Sequence, residues 1–348
     1  MGVYSMNNDV ELELGTSVEE CAYEPGIEAA WAIVAESEQN YNAIMQAIGV
    51  EELAVYESTG EEMVYEAGNV SGFFGKVKEF FLKMWEKIKG LFKKFFAMFD
   101  TFVKNDKDFV NKYKAHLAKI DTRNFEYKGF KYTKLDLDLT KVDATIEGVI
   151  PVKMATPTTV EAANKALKNA ENREVVVERM RGAIIAGENS LSASEFSKEL
   201  FKMFRNNEDS KETIEGVNVT ELLMNISGNS KLRKDAEKAY KELEKTIKKE
   251  IKDLEKAEKE LVKSMPEAGE LRAKQIRHAN NVIAFKKEKM NILNVVNGAK
   301  LTAIKDYNRQ SKAMCVALMN YKPKNESFGF GDDGYVAENG FLSGVVLR

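Results

Sequence analysis

Residues 231–322 carry the pattern that most restricts how this chain can fold. Apolar residues recur every three or four positions through the first half, among alternating lysines and glutamates. This spacing predicts an amphipathic helix, which Glu–Lys pairs three or four residues apart would support. Pro266 and Gly269 then mark a turn, and apolar residues at helical spacing continue to Tyr321. We therefore predict a long helical hairpin with coiled-coil character.

A second amphipathic helix is predicted over residues 73–104, which hold nine of the 19 phenylalanines together with a tryptophan. Their spacing of three and four places them on one face and lysines on the other. The face is formed by Phe74, Phe81, Trp85, Ile88, Phe92, Phe95 and Phe99. Gly90 leaves room for a break, and residues 105–120 predict a second short helix.

The sequence leaves three alternatives for what this aromatic face packs against. The helix could pack on its own domain or an identical chain, dock on a partner inside an assembly, or lie on a membrane surface. Spanning a bilayer is disfavoured because each central lysine opposes insertion by about 2.5 to 3.5 kcal/mol.

Period-two alternation begins at Asp121 and surrounds Lys128 and Gly129. It predicts a β-hairpin, continued by residues 142–152, in a small sheet of three or four strands. Helical spacing returns after Thr158 or Thr159, either of which suits an N-cap. The predicted fold class is α+β and mostly helical, with an acidic N-terminal segment, a long amphipathic helix, a small antiparallel sheet and a long C-terminal helical hairpin.

Composition divides the chain into five predicted segments. They are an acidic propeptide-like segment (1–66), basic aromatic-rich amphipathic helices (67–120), a small β-sheet with helices (121–230), the long helical hairpin (231–322) and a flexible C-terminal tail (323–348).

Charge is distributed very unevenly between the first segment and the rest. Residues 1–66 contain 15 acidic side chains and no lysine or arginine, whereas the remaining 282 residues carry 40 acidic and 52 basic ones. The formal net charge of −3 therefore combines a segment near −15 with a body near +12. Such asymmetry predicts an interaction tail, or a piece that is separated from the body.

The acidic segment ends in two similar strings, AVYES at residues 54–58 and MVYEA at residues 63–67. In both, a valine lies two positions before a glutamate and a small residue follows it. Here the chain resembles the internal and core proteins of tailed-bacteriophage heads, in which a head-maturation protease cleaves after such a glutamate. The resemblance implies cleavage after Glu66 and Glu57, and after Glu36 and Glu338 in looser copies of the motif.

The resemblance also implies a function. The chain would be a virion structural protein, internal to the head, assembled in the host cytoplasm as part of the prohead and matured by proteolytic removal of its acidic propeptide. Its partners would be the head-maturation protease and either other virion proteins or further copies of itself. The alternatives are a membrane-surface protein anchored by residues 73–102 and a host-directed phage effector.

Motifs of catalysis and metal binding are missing from the sequence. His116 and His278 have no partner at metal-ligand spacing, and neither Cys21 nor Cys315 belongs to a CxxC pair. We predict a protease substrate rather than an enzyme, with no metal and no cofactor. The N-terminus also lacks an export signal, and no apolar stretch reaches 18 residues, so we expect a protein that is soluble when made.

The basic body predicts non-specific contact with DNA or other anions, which salt would weaken. The candidate side chains are Lys76, Lys83, Lys87 and Lys94 on the polar face of the aromatic helix. Until it is cut away, the acidic segment would act as an intramolecular DNA mimic or as an assembly handle.

Overall fold

The computed structural model describes residues 27–47, 67–131, 138–153, 155–185, 190–204, 212–227, 229–264, 266 and 269–321. The described helices are α1 (Ile27–Ala47), α2 (Ala67–Leu117), α3 (Leu139–Val149), α4 (Val160–Asn169), α5 (Arg173–Ile184), α6 (Ala193–Phe204), α7 (Val219–Ser227), α8 (Asn229–Ser264) and α9 (Glu270–Met319). Two short strands, β1 (Tyr127–Gly129) and β2 (Glu212–Ile214), complete the set. The prediction of a mostly helical chain with a small antiparallel sheet is confirmed.

Helix α9 is the central element of the fold. It packs against α1, α2, α4, α6 and α8, and every residue from 289 to 301 is buried. Apolar side chains such as Phe285, Leu293 and Ile304 form its contribution to the core. Because α9 is surrounded by other helices, most of its lysines and asparagines are buried as well. The sequence pattern had indicated a helix with a solvated charged face.

Helices α8 and α9 occupy the residues of the predicted hairpin and pack against each other. The N-cap of α9 is Gly269, whose φ of 104° lies in the left-handed region that favours glycine. Leu243, Ile247 and Leu254 of α8 are buried, while the lysines between them are mainly exposed. The stripe that predicted α8 is therefore the stripe that enters the core.

Helix α2 is longer and more continuous than the sequence predicted. It runs through Gly90 without a break and includes the separately predicted helix of residues 105–120 as far as Leu117. A Cβ added at Gly90 would meet nothing within 4 Å. Packing of the aromatic face on α8, α1 and α9 outweighs the helix propensity that one glycine loses, about 1 kcal/mol.

The predicted strand of residues 142–152 is wrong, because residues 139–149 form α3. The Asp138 carboxylate caps this helix by accepting hydrogen bonds from the backbone N–H groups of Thr140 (2.9 Å) and Lys141 (3.4 Å). Leu139, Val142 and Ile146 then share one buried helical face. The cap and the three-to-four spacing together select a helix over a strand.

Lys128 and Gly129, about which the hairpin was predicted to turn, lie instead within strand β1. Strand β1 pairs in antiparallel register with β2, with Tyr127 opposite Ile214 and Gly129 opposite Glu212. The strand therefore pairs with residues far along the chain. Residues 132–137, where the second strand of the hairpin was expected, lie outside the described residues.

Candidate functional site

Part of the acidic segment belongs to the core of the protein. Ala29, Ala30, Ile33 and Tyr41 of α1 are buried, and the helix packs against α9 and α2. The sequence predicted an interaction tail, or a piece that is separated from the body. The apolar face of residues 27–47 packs on the body and contributes to folding, and the separation stays a prediction.

Polar contacts fix the position of α1 along α9. The Ser37 hydroxyl donates to the Asn291 side-chain oxygen at 3.1 Å, and the Asn294 amide donates to the backbone carbonyl of Ala30 at 3.0 Å. On the other side of α1, the Trp31 indole N–H donates to Ser197 of α6 at 2.9 Å. Because Asn291 and Asn294 are buried, these hydrogen bonds compensate for lost hydration.

A buried lysine lies at the centre of this interface. The Lys287 side chain is 1% exposed, and its Nζ atom lies 2.5 Å from Glu38 of α1 and 3.0 Å from Glu288. The same Nζ lies 4.6 Å from the centre of the Tyr41 ring, a cation–π distance. Burial raises the pKa of the Tyr41 hydroxyl, so that side chain stays neutral. Helix α1 thus supplies both a counter-ion and an aromatic cover for Lys287.

Glu36, a predicted cleavage site, lies within α1 and forms an ion pair with Lys87 of α2. This pair joins the acidic segment to a lysine that we had assigned to DNA or anion contact. A protease would have to unwind α1 to reach the bond after Glu36. The other three predicted cleavage sites, Glu57, Glu66 and Glu338, lie outside the described residues.

The remaining candidate DNA-contacting lysines lie on the outer face of α2. Lys76 and Lys94 are exposed, and Lys83 forms an ion pair with Glu79 at 2.7 Å. Lys83 and Lys87 therefore have carboxylate partners within the chain. The four lysines lie along one helix, as the spacing predicted, and the charges of Lys83 and Lys87 are compensated by neighbouring carboxylates.

The aromatic face of α2 is buried inside the protein. Its buried members are Phe74, Phe81, Trp85, Ile88, Phe92 and Phe95. Trp85 stacks on Tyr240 of α8 at 5.6 Å between ring centres, and Phe92 meets the same ring edge-on at 4.9 Å. Of the three alternatives left open by the sequence, these six residues use the first, because they pack on their own chain. The side chain of Phe99 lies outside the described set, although its backbone is part of α2.

A second buried ionic group, here called the Lys289 cluster, joins α9 to α3 and α8. It consists of Lys289, Lys286, Glu250, Asp143 and Glu147. The Lys289 ammonium is 0% exposed and contacts Asp143 at 3.1 Å as well as Glu147 and Glu250. Glu250, which is 1% exposed, also pairs with Lys286. Three helices are thereby connected through one lysine.

In the Lys289 cluster, each charge favours the ionised form of its partner and so opposes the effect of burial. Burial acts to lower the pKa of Lys289, but the charge of Glu250 and the hydrogen bond with Glu147 outweigh it and raise the pKa. Burial likewise acts to raise the pKa of Glu250, but Lys286 and Lys289 outweigh it, and the pKa is lowered. Both partners therefore remain ionised at neutral pH.

The carboxylates of Asp143, Glu147 and Glu250 are close enough together to resemble a metal site. Their ligand atoms lie within 4.8 Å of one another. The ammonium of Lys289 contacts all three and supplies the positive charge that a cation would supply. The geometry therefore fits an internal ion-pair network that holds α3, α8 and α9 together.

His278 is buried and lines a small, partly open pocket together with Phe74, Leu261 and Ile283 among others. Burial lowers the pKa of its imidazole, and a hydrogen bond with the Lys153 backbone opposes this effect. The other histidine, His116, is exposed near the end of α2. The two histidines therefore do not form a shared site.

Sequence reasoning missed both buried ionic groups. Lys286, Lys287 and Lys289 lie in one short run that reads as a solvated helix face. An available signal was the row of apolar and small residues on every side of α9 from Met290 to Ile304, which is typical of a helix buried all round.

None of the described helices is both long enough and apolar enough to cross a membrane. Comparison of the chain with known protein families, with curated proteins and with solved structures gave no match.

Proposed function

We propose that this chain is a structural protein of a tailed-phage virion, internal to the head, and that a head-maturation protease processes it between α1 and α2. One observation carries the proposal: both VYE strings fall in residues 48–66, between the end of α1 at Ala47 and the start of α2 at Ala67. Cleavage after Glu57 or Glu66 would therefore cut neither helix.

Packing of α1 changes what such cleavage achieves. A cut after Glu66 would break the covalent link to the body, but the buried contacts of Tyr41 and Glu38 would remain. Processing then breaks the chain between α1 and α2, while the acidic helix α1 stays bound to the body. Cleavage after Glu36 would divide α1 itself, and we expect it to be slow while that helix stays folded.

Co-expression with a head-maturation protease tests the processing. Intact-mass measurement should find a product that begins at Ala67 or Ser58. Glu57→Gln combined with Glu66→Gln should abolish cleavage at these two positions because the protease would read the glutamate. Glu62→Gln is the matched control, since Gly60 and not an aliphatic residue lies two positions before it. An uncut wild-type chain, or equal cleavage of the double variant, would contradict the proposal.

A membrane-surface role for the aromatic helix receives less support. Its anchor residues, including Trp85 and Phe92, pack on Tyr240 of the same chain. To insert this face into lipid, the protein would have to open its core. It would then lose the free energy gained by burying several aromatic side chains, about 1.5 to 3 kcal/mol each. Strong binding of the intact protein to neutral vesicles would reverse this preference.

Neighbours in the particle would be other virion proteins or further copies of this chain. We also propose weak, non-specific DNA contact through exposed lysines on α2, with Lys76 and Lys94 as candidates. The proposal rests on charge alone, because the exposed lysines are dispersed along helices and form no base-reading surface.

A further inference from the structure

Helix α1 makes contacts typical of a bound ligand. From Ala30 to Tyr41, every turn of the helix contacts the body: Ala30 and Ser37 bond to asparagines of α9, and Glu38 pairs with Lys287. Tyr41 meets Phe80 of α2 edge-on at 6.0 Å. Apolar packing, hydrogen bonds and charge thus all complement one surface, formed by α2, α6 and α9.

Charge complementarity favours an acidic occupant for this surface. Lys287 is buried beneath α1, and Lys87 lies at the edge, where it pairs with Glu36. Without α1, both lysines would lose these counter-ions, and the apolar side chains beneath Ile33 and Tyr41 would be exposed to water. A bound acidic helix therefore removes two unfavourable features at once.

We propose that the surface formed by α2, α6 and α9 binds residues 27–47 as a separable helical ligand. The helix stays bound when the chain is cut between Ala47 and Ala67, and the surface accepts the same helix from a second copy. Most of the stability of a helix in a protein comes from packing of its apolar face, so α1 folds fully only when it is bound. Exchange between copies is slow because dissociation must break the buried contacts of α1.

Recombinant full-length protein tests this proposal without a phage. The recognition sequence of a site-specific protease replaces residues 57–63, and cleavage is driven to completion, in urea followed by refolding if required. Size-exclusion chromatography and native mass spectrometry then show whether the two pieces remain together. We expect one complex containing both pieces. Elution of the N-terminal piece apart from the body under native conditions would overturn the proposal.

Exchange with a synthetic peptide tests acceptance in trans. A fluorescent peptide of residues 27–47, added in excess to the cut protein, should replace the original helix over time. The uncut chain is the control, and it should take up peptide much more slowly because its own helix is tethered at high effective concentration. Failure of the cut protein to take up any peptide would overturn the claim of acceptance from a second copy.

Matched peptide variants test which contacts matter. Glu38→Gln removes the charge that pairs with buried Lys287, and we expect dissociation about tenfold faster, given the partial exposure of Glu38. Glu28→Gln removes one charge from the exposed side of the same helix and should change dissociation less than about twofold. Equal effects of the two substitutions would show that the binding is unspecific attraction between opposite charges. The outcome does not depend on where the protein acts, so it is separate from the proposed virion function.

Discussion

Replacement of Lys289 by methionine tests whether the Lys289 cluster holds α3, α8 and α9 together. Methionine fills similar space, so the main change is the loss of a positive charge that is 0% exposed. The carboxylates of Asp143, Glu147 and Glu250 would remain within 4.8 Å of one another. Of the cluster's two lysines, only Lys286 would then oppose them.

The expected loss of stability follows from the burial of each partner. Removing one partner of a buried ion pair costs about 3 to 5 kcal/mol. Glu147 is 44% exposed, and Lys286 still pairs with Glu250, so both carboxylates keep part of their stabilisation. We therefore expect a loss of about 3 kcal/mol, at the lower end of that range. This is a large share of the 5 to 15 kcal/mol that is typical of folded domains, about a fifth or more.

Urea denaturation at pH 7 provides the measurement. A loss of about 3 kcal/mol should move the midpoint down by about 1 M if the urea dependence is about 3 kcal/mol per M. The combination of Lys289→Met with Glu250→Gln should cost less than the sum of the single substitutions, because both remove the same interaction. Lys248→Met, which affects an exposed pair with Glu244, is the control and should cost less than about 0.5 kcal/mol. A loss below about 1 kcal/mol for Lys289→Met would refute the reasoning.

Acid should reduce the difference between the Lys289→Met variant and the wild type. In the wild type, the pKa of Glu250 is lowered, so its contribution is present above its unfolded pKa and is lost as pH falls through the folded pKa. In the variant, only Lys286 still compensates the buried charge of Glu250, so protonation of Glu250 relieves part of the cost of burial. We expect the two midpoints to converge between about pH 5 and pH 3. A constant difference across this range would contradict the assignment.

Three further predictions concern single positions, each measured by thermal or urea unfolding. Gly90→Ala should stabilise the protein by about 0.5 to 1 kcal/mol, because the added methyl group meets nothing within 4 Å and α2 is continuous there; a destabilisation would mean that the helix needs glycine. Asp138→Ala should destabilise by about 1 kcal/mol by removing the cap of α3, whereas Asp138→Asn should retain most of the stability; equal losses would contradict a capping role. The pKa of His278 is lowered in the folded state, so the unfolded chain binds the extra proton first, and stability should fall as pH drops below about 6.5, its unfolded pKa. His278→Phe should remove this part of the pH dependence, and an unchanged pH profile would show that other groups cause it.

Local patterns predicted the outer helices well. The stripe of α8 is visible in the sequence because Leu243, Ile247 and Leu254 alternate with lysines and glutamates that water can solvate. The aromatic face of α2 was equally clear. The pattern could not decide what this face packs against. Burial against Tyr240 of the same chain and burial against another molecule require the same apolar face.

Elements stabilised by distant contacts were harder to predict. The leucines before α3 alternate like a strand, and only the cap at Asp138 and the spacing to Ile146 favour a helix. Helix α1 was not predicted because it lies in the acidic segment, although Ala30, Ile33, Ser37 and Tyr41 have helical spacing. The ion pairs of Lys287 and Lys289 could not be predicted from the local sequence, because their counter-ions come from α1, α3 and α8.

Native mass spectrometry of the protein recovered from its natural source tests the central claim most directly. The account predicts a complex of two pieces, one containing residues 27–47 and ending at Glu57 or Glu66, the other beginning at Ser58 or Ala67. An uncut chain would contradict the proposed processing. A body recovered without the acidic helix would contradict the conclusion that this helix is an integral part of the folded protein.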